Sequence, residues 1–144
     1  MFENPLVQLS ANLYSCSRLL IQRIQTTLQE SGLTYPQFLT LSILWKEDGL
    51  KVHELGHHLH LDSGTLTPLL KKLEAQNLLR RKRGEEDERT VSIHLTYPGK
   101  SLQTKTMEAI ALLEQELMEE IGEEFNQLLP VSDSFLEKLN TLKK

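Results

Sequence analysis

Leucine and isoleucine recur at helical spacing through Leu6, Leu9, Leu13, Leu20, Ile24 and Leu28, which predicts a long helix with one apolar stripe, stopped by Ser31-Gly32. Thr34-Tyr35-Pro36-Gln37 then reads as a helix start: Thr34 caps, Gln37 reaches back as its capping-box partner, and Pro36 sits in a first turn that needs no donor there. This second helix runs to about Glu47, buries Phe38, Leu41 and Leu44 or Trp45, and is ended by Gly49. Between Lys51 and Leu61, Val52, Leu55 and Leu59 mark a short helix. Asp62 or Ser63 can cap the next one, with Leu66, Leu69, Leu70 and Leu73 inward and Thr65, Thr67, Lys71 and Lys72 on other faces. Pro68 pulls the other way, because a proline suits the first turn of a helix capped by Thr67. Two short helices joined by a tight turn form a helix-turn-helix.

After Asn77 the period changes from helical to two. Leu78 to Arg83 and Thr90 to Thr96 read as strands flanking the polar, glycine-containing tip Gly84 to Arg89, and a hairpin directly after a helix-turn-helix is a wing. From the cap Thr96, a helix carries Leu102, Ile110, Leu113, Leu117 and Ile121 on one stripe. Gly122 and Pro130 are expected to interrupt the chain beyond it, and Ser132 or Asp133 to cap a last helix through Phe135, Leu136, Leu139 and Leu142. The fold class is therefore mainly α-helical with a small β-hairpin. A single domain over 1–144 holds a winged helix-turn-helix at about 34–96, its core running from Gly49 to Thr96. Helices at about 5–31 and 97–144 are striped but too few to form a core alone, which suggests that they dimerise.

Composition adds constraints. The 144 residues, 39% hydrophobic and 25% charged, suit one globular unit without metal or disulfide staples. The beginning of the chain has no basic region followed by an apolar stretch, and no apolar run approaches the roughly 18 residues of a membrane span, so a cytoplasmic protein that does not enter the membrane is expected. The net charge of -4 at first argues against a polyanionic partner, but the charges are unevenly placed. Residues 62–100 carry Lys71, Lys72, Arg80, Arg81, Lys82, Arg83, Arg89 and Lys100 against six acids, and residues 101–124 carry seven glutamates against Lys105. The basic side chains lie where they could meet phosphates.

Leu61-Asp62-Ser63-Gly64-Thr65-Leu66-Thr67-Pro68-Leu69-Leu70-Lys71-Lys72-Leu73-Glu74 and the run Arg81 to Arg89 strongly resemble the MarR family of transcriptional regulators, over nearly the whole chain. Within it the sequence is most similar to the branch of organic-hydroperoxide and redox regulators, the OhrR-like and SarZ-like proteins. The resemblance implies that the recognition helix starts near Asp62 despite Pro68. It implies a homodimer on double-stranded DNA with a pseudo-palindromic operator, the helix around Ser63 to Lys72 in the major groove with Ser63, Thr65 and Thr67 near bases or phosphates, Lys71 and Lys72 at the backbone, and Gly64, Pro68 and Arg83 also among the DNA-binding residues. Arg89 would probe the adjacent minor groove, oriented by Asp87. The function implied is a repressor released by a small molecule or oxidant. The alternative is a winged helix used for protein interaction, without specific DNA binding.

The same resemblance places the sensing cysteine of that branch at Ser10, before Asn12-Leu13-Tyr14. Serine cannot follow the sulfenic acid route, so redox sensing would fall to Cys16, the single cysteine, turned by roughly 240° around the helix from Ser10. As an ordinary residue Cys16 would be a half-buried thiol at the edge of the stripe. Tyr14, Arg18 and Tyr35 are the candidates for an effector pocket. His53, His57, His58 and His60 include a pair four apart, but no acid or cysteine completes a shell, and the expectation is no metal and no cofactor. There is no phosphate loop and no nucleophile elbow, so the chain is not read as an enzyme.

Overall fold

The computed structural model describes residues 1–84 and 90–142. Its elements are helices α1 (Pro5–Thr27), α2 (Tyr35–Lys46), α3 (Val52–Leu59) and α4 (Ser63–Ala75), strands β1 (Leu79–Lys82) and β2 (Ser92–Leu95), and helix α5 (Tyr97–Leu142), with a 3-10 turn at Gln29–Ser31 after α1. The expected class, mainly helical with an antiparallel hairpin, is the observed one.

The helix boundaries obey the capping chemistry. Asn4 caps α1 by accepting from the N–H groups of Leu6 and Val7, at 2.8 and 3.1 Å. Thr34 and Gln37 form the reciprocal capping box, with Thr34 N–H donating to Gln37 Oε1 at 3.0 Å and Gln37 N–H to Thr34 Oγ1 at 3.3 Å. Asp62 caps α4 through the Thr65 N–H at 2.8 Å. This early start resolves the ambiguity at Pro68, which lies inside α4 and forgoes the bond to the Gly64 carbonyl. Past the end of α4, Asn77 adopts a left-handed φ of 59°. The Leu78 N–H then donates to the Leu73 carbonyl and the Asn77 N–H to the Glu74 carbonyl, at 3.0 and 2.9 Å. This Schellman turn aims the chain into β1.

One core unites α2, α3, α4 and the hairpin. Leu41, Leu44, Leu55, Leu66, Leu70, Leu73, Leu79 and Ile93 are buried together, joined by Leu28 from the end of α1. Gly56 permits the tight α3–α4 turn, because a Cβ there would come within 2.8 Å of the Leu61 carbonyl. Strand β1 pairs with β2 in the register Leu79↔Leu95 to Lys82↔Ser92. The residues before α3 add a third, short line to this sheet: Gly49 N–H donates to the Ile93 carbonyl, Ile93 N–H to Leu50, and Val52 N–H to Val91. The sequence pattern holds no sign of it, since Leu50 carries no strand periodicity.

The carboxy-terminal half agrees with expectation as far as Ile121 and differs beyond it. Thr96 does cap α5, accepting from the Gly99 N–H at 3.1 Å. This helix bends at its expected end, where Ile121 leaves helical geometry (φ -125°, ψ 19°), but beyond the kink α5 continues as helix to Leu142. Pro130 lies within the helix, and Ser132 and Asp133 cap nothing. The Ser132 hydroxyl instead donates to the Leu129 carbonyl at 2.8 Å. The bend falls one residue before Gly122, the helix-weakening residue of this stretch, and a proline with exposed neighbours can drop a single bond without ending the helix. After the bend the helix returns toward α3, where Asn140 Nδ2 lies 2.8 Å from His60 Nδ1.

Candidate nucleic-acid interface

Helix α4 separates core from surface cleanly. Leu66, Leu70 and Leu73 are buried, while Gly64, Pro68, Lys71 and Lys72 lie exposed on the opposite face. Its first turn, Ser63-Gly64-Thr65, is exposed as well, so the positive end of the helix dipole faces outward. Thr67 is half-buried and lines a groove with Ser63, His53, Arg81, Thr90 and Val91, between α3, α4 and the hairpin. The candidates from Ser63 to Lys72 therefore share one surface around the outer face and leading end of α4.

The hairpin adds Arg80, Arg81, Lys82 and Arg83, all exposed. Asp87 and Arg89, expected at the wing tip, lie outside the described residues. Arg81 is not simply a cation for phosphate. The Glu74 carboxylate on α4 accepts its backbone N–H at 3.0 Å, its Nε at 3.1 Å and its Nη2 at 3.0 Å. The bond from the Arg81 N–H, assisted by the guanidinium, holds the Glu74 carboxyl below its ordinary value. Asp48 acts similarly at the base of the hairpin, where its Oδ1 accepts the Leu95 N–H at 2.8 Å. Neither acid stands out in the sequence. The one signal available was an acid seven residues before an arginine across a helix-to-strand turn, and it is meaningful only once the turn geometry is known.

Further contacts join this lobe to the flanking helices. Trp45 Nε1 donates to the Gly99 carbonyl at 2.9 Å, and Gln25 of α1 bridges the next loop through the Tyr35 N–H and the Leu33 carbonyl, at 2.8 and 2.9 Å. Gly99 is buried so tightly that a Cβ there would collide with the Leu78 carbonyl.

The effector candidates are not brought into one pocket within the chain. Tyr14 and Arg18 stack on the exposed face of α1, the guanidinium 5.9 Å from the ring centre. Tyr35 instead lines a cleft of about 550 Å³ with Leu39, Leu59, Leu61, Pro68 and Leu69, and burial pushes its phenol up. Cys16 is exposed, in correction of the half-buried thiol expected, because nothing in the single chain covers that side of α1. Ser10 donates to the Val7 carbonyl at 2.9 Å. His53, His57, His58 and His60 are not buried, and among the described residues no group of three or more His, Cys, Asp or Glu is arranged to hold a metal ion. No helix among the described residues is long and apolar enough to cross a membrane.

Comparison with known proteins agrees with this geometry. A family profile described as "Transcriptional regulator SarA/Rot" matches residues 22–110. The chain is 41% identical over 133 residues to the organic hydroperoxide resistance transcriptional regulator of Bacillus subtilis (strain 168), covering 92% of this chain and 90% of that protein. Among solved structures it is similar to reduced AbfR of Staphylococcus epidermidis bound to DNA, with a TM-score of 0.81, 34% identity and 93% of each chain covered. The fold is also that of a MarR transcriptional regulator from Methanosarcina mazei Go1, with a TM-score of 0.78 at 21% identity, covering 94% of this chain and 98% of that one.

Proposed function

The chain belongs to the SarA/Rot family of transcriptional regulators, and on that premise we propose that it works as a homodimeric repressor whose two α4 helices read a pseudo-palindromic operator. It is a sequence-specific DNA-binding regulator with the winged-helix fold of MarR-type proteins. The observation that carries the reading is the exposed face of α4, from Ser63 to Lys72, flanked by the basic hairpin while its opposite face is core. In this arrangement α4 enters the major groove with Ser63, Thr65 and Thr67 toward the bases, and Lys71, Lys72 and Arg83 meet phosphates. Asp87 and Arg89 are assigned to the adjacent minor groove on the strength of the family resemblance. The two-fold axis sets the α4 helices about 34 Å apart, one turn of DNA.

The apolar stripes of α1 and α5 support the dimer, since Leu6, Leu9, Leu13, Leu20, Leu128, Leu136 and Leu139 all face solvent in the single chain. Release by a small molecule or an oxidant requires a ligand or modification that favours a second dimer geometry. Cys16 is the residue through which oxidation would act.

The test is binding to promoter fragments co-purified with the protein from its host, measured against salt. Lys71→Ala and Arg89→Ala should each weaken binding, and Lys71→Ala should lower the salt slope by about one unit. Unchanged affinity in both would favour the protein-interaction alternative. An organic hydroperoxide should dissociate the wild-type complex and spare Cys16→Ser, whereas dissociation of neither would eliminate a cysteine switch.

A further inference from the structure

Glu74 is an acid on the helix proposed to enter DNA, and both of its carboxylate oxygens are occupied by Arg81. Simple electrostatics gives it an unfavourable role, because a carboxylate near phosphates repels them. Its contacts give it another. In the β1–β2 ladder Arg81 pairs with Ile93, yet its N–H donates to Glu74 Oε2, so this N–H points away from β2 and Glu74 closes an otherwise open sheet edge. The other oxygen takes Nε and Nη2 of the same residue, a paired arrangement that fixes the plane of the guanidinium as well as its position.

Strand β1 is four residues long and leaves α4 through the Schellman turn at Asn77, which sets the direction of the strand but does not clamp its far end. Leu79 anchors the near end of the strand in the core, but Arg80, Lys82 and Arg83 beyond it are exposed. Glu74 and Arg81 thus form a link between the recognition helix and the outer part of the hairpin.

We propose that Glu74 is a positioning residue for DNA recognition: through Arg81 it locks the wing to α4, so that the two elements meet adjacent grooves at a fixed separation. The lock stabilises the specific complex by removing freedom from the wing before binding. It contributes little to non-specific binding, which depends on charge rather than register. The sign of one substitution therefore separates the two roles. Removing a repelling acid would strengthen binding to every duplex, and removing a positioning acid weakens binding to the specific site alone.

The proposal rests on the DNA-binding reading above. The experiment begins with duplexes selected from a random library by the wild-type protein, and then measures affinities and hydroxyl-radical footprints of Glu74→Ala and Glu74→Gln. Glu74→Ala should bind the selected duplex about tenfold more weakly and lose protection at the flanks reached by the hairpin, with central protection retained. Its affinity for an unrelated duplex should stay the same or rise. Glu74→Gln keeps an acceptor for the Arg81 N–H and should recover part of both losses. Equal or tighter binding of the selected duplex by Glu74→Ala, with flanking protection intact, would overturn the proposal. So would an equal loss on both duplexes across the whole footprint, which marks a merely structural role. A wild-type protein that enriches no sequence would end the DNA reading and this proposal together, and is distinguishable from either result.

Discussion

The recognition lobe and the flanking helices carry the same sequence signal and meet opposite fates. In the lobe, leucines at helical spacing are sealed: Leu41, Leu44, Leu55 and Leu66 are each 0% exposed. On α1 and the end of α5 the same residue type at the same spacing stands in water, with Leu6 73% and Leu142 73% exposed. Periodicity therefore reports which face of a helix is apolar and says nothing about what covers it. In the lobe, three helices and a hairpin converge from one chain. On the flanking helices the described burial ends near Leu28 and Leu113, and the rest of each stripe is uncovered in the single chain.

Substitutions can press on this contrast from both sides, with Trp45, the single tryptophan, reporting unfolding of the lobe by fluorescence. The largest effect is expected for Leu66→Ala, which empties a fully buried site and should cost about 2–5 kcal/mol in urea unfolding. Gly99→Ala forces the first turn of α5 away from the Leu78 carbonyl and from Trp45, and about 1–3 kcal/mol should be lost, together with a change in Trp45 emission. A cost of about 1 kcal/mol is anticipated for Asp62→Ala, which removes the α4 cap; no loss at all would mean that the early helix start is maintained by packing alone. The paired change Leu13→Glu with Leu136→Glu should alter lobe unfolding by less than about 0.5 kcal/mol, since neither side chain is buried in the single chain. The same variant should sediment at half the wild-type mass, and an unchanged mass would dissolve the contrast between the two regions.

The smallest effect concerns pH. The Glu74 carboxyl titrates below its ordinary value of 4.5 when folded, so its contribution is complete above that value and is lost as pH falls through the lowered folded one. Because the carboxylate is partly exposed the effect is modest. Wild type should lose stability on the acid side slightly faster than Glu74→Gln, and parallel acid limbs would show that the Arg81 contact adds nothing to the fold.

Much of the architecture was legible along the chain. The Thr34–Gln37 capping box, the Asp62 cap, the change of period at Leu78 and the cap at Thr96 are local events, fixed by residues within a few positions of one another, and all four stand in the structure. Local rules failed where two of them competed. Pro68 and Pro130 both signalled helix boundaries, and both lie inside helices, because a helix continuing on either side outweighs one missing bond. The candidate DNA-contacting surface of α4 was readable for the same reason as its core face: one periodicity defines both.

The order of elements, their caps, the apolar faces and the basic hairpin follow from local sequence, because each depends on neighbours three or four residues away or on alternation within a strand. Tertiary structure alone decided that Leu50 joins the sheet, that Arg81 is held by Glu74 and Leu95 by Asp48, and that Tyr35 lies in a cleft apart from Tyr14 and Arg18. These are meetings of residues whose separation in the chain carries no periodic signal. The physical reason is that hydrogen bonds and ion pairs are selected by where the folded backbone places donors and acceptors, and only the packing of α4 and of the segment before α3 against the hairpin brings them within reach.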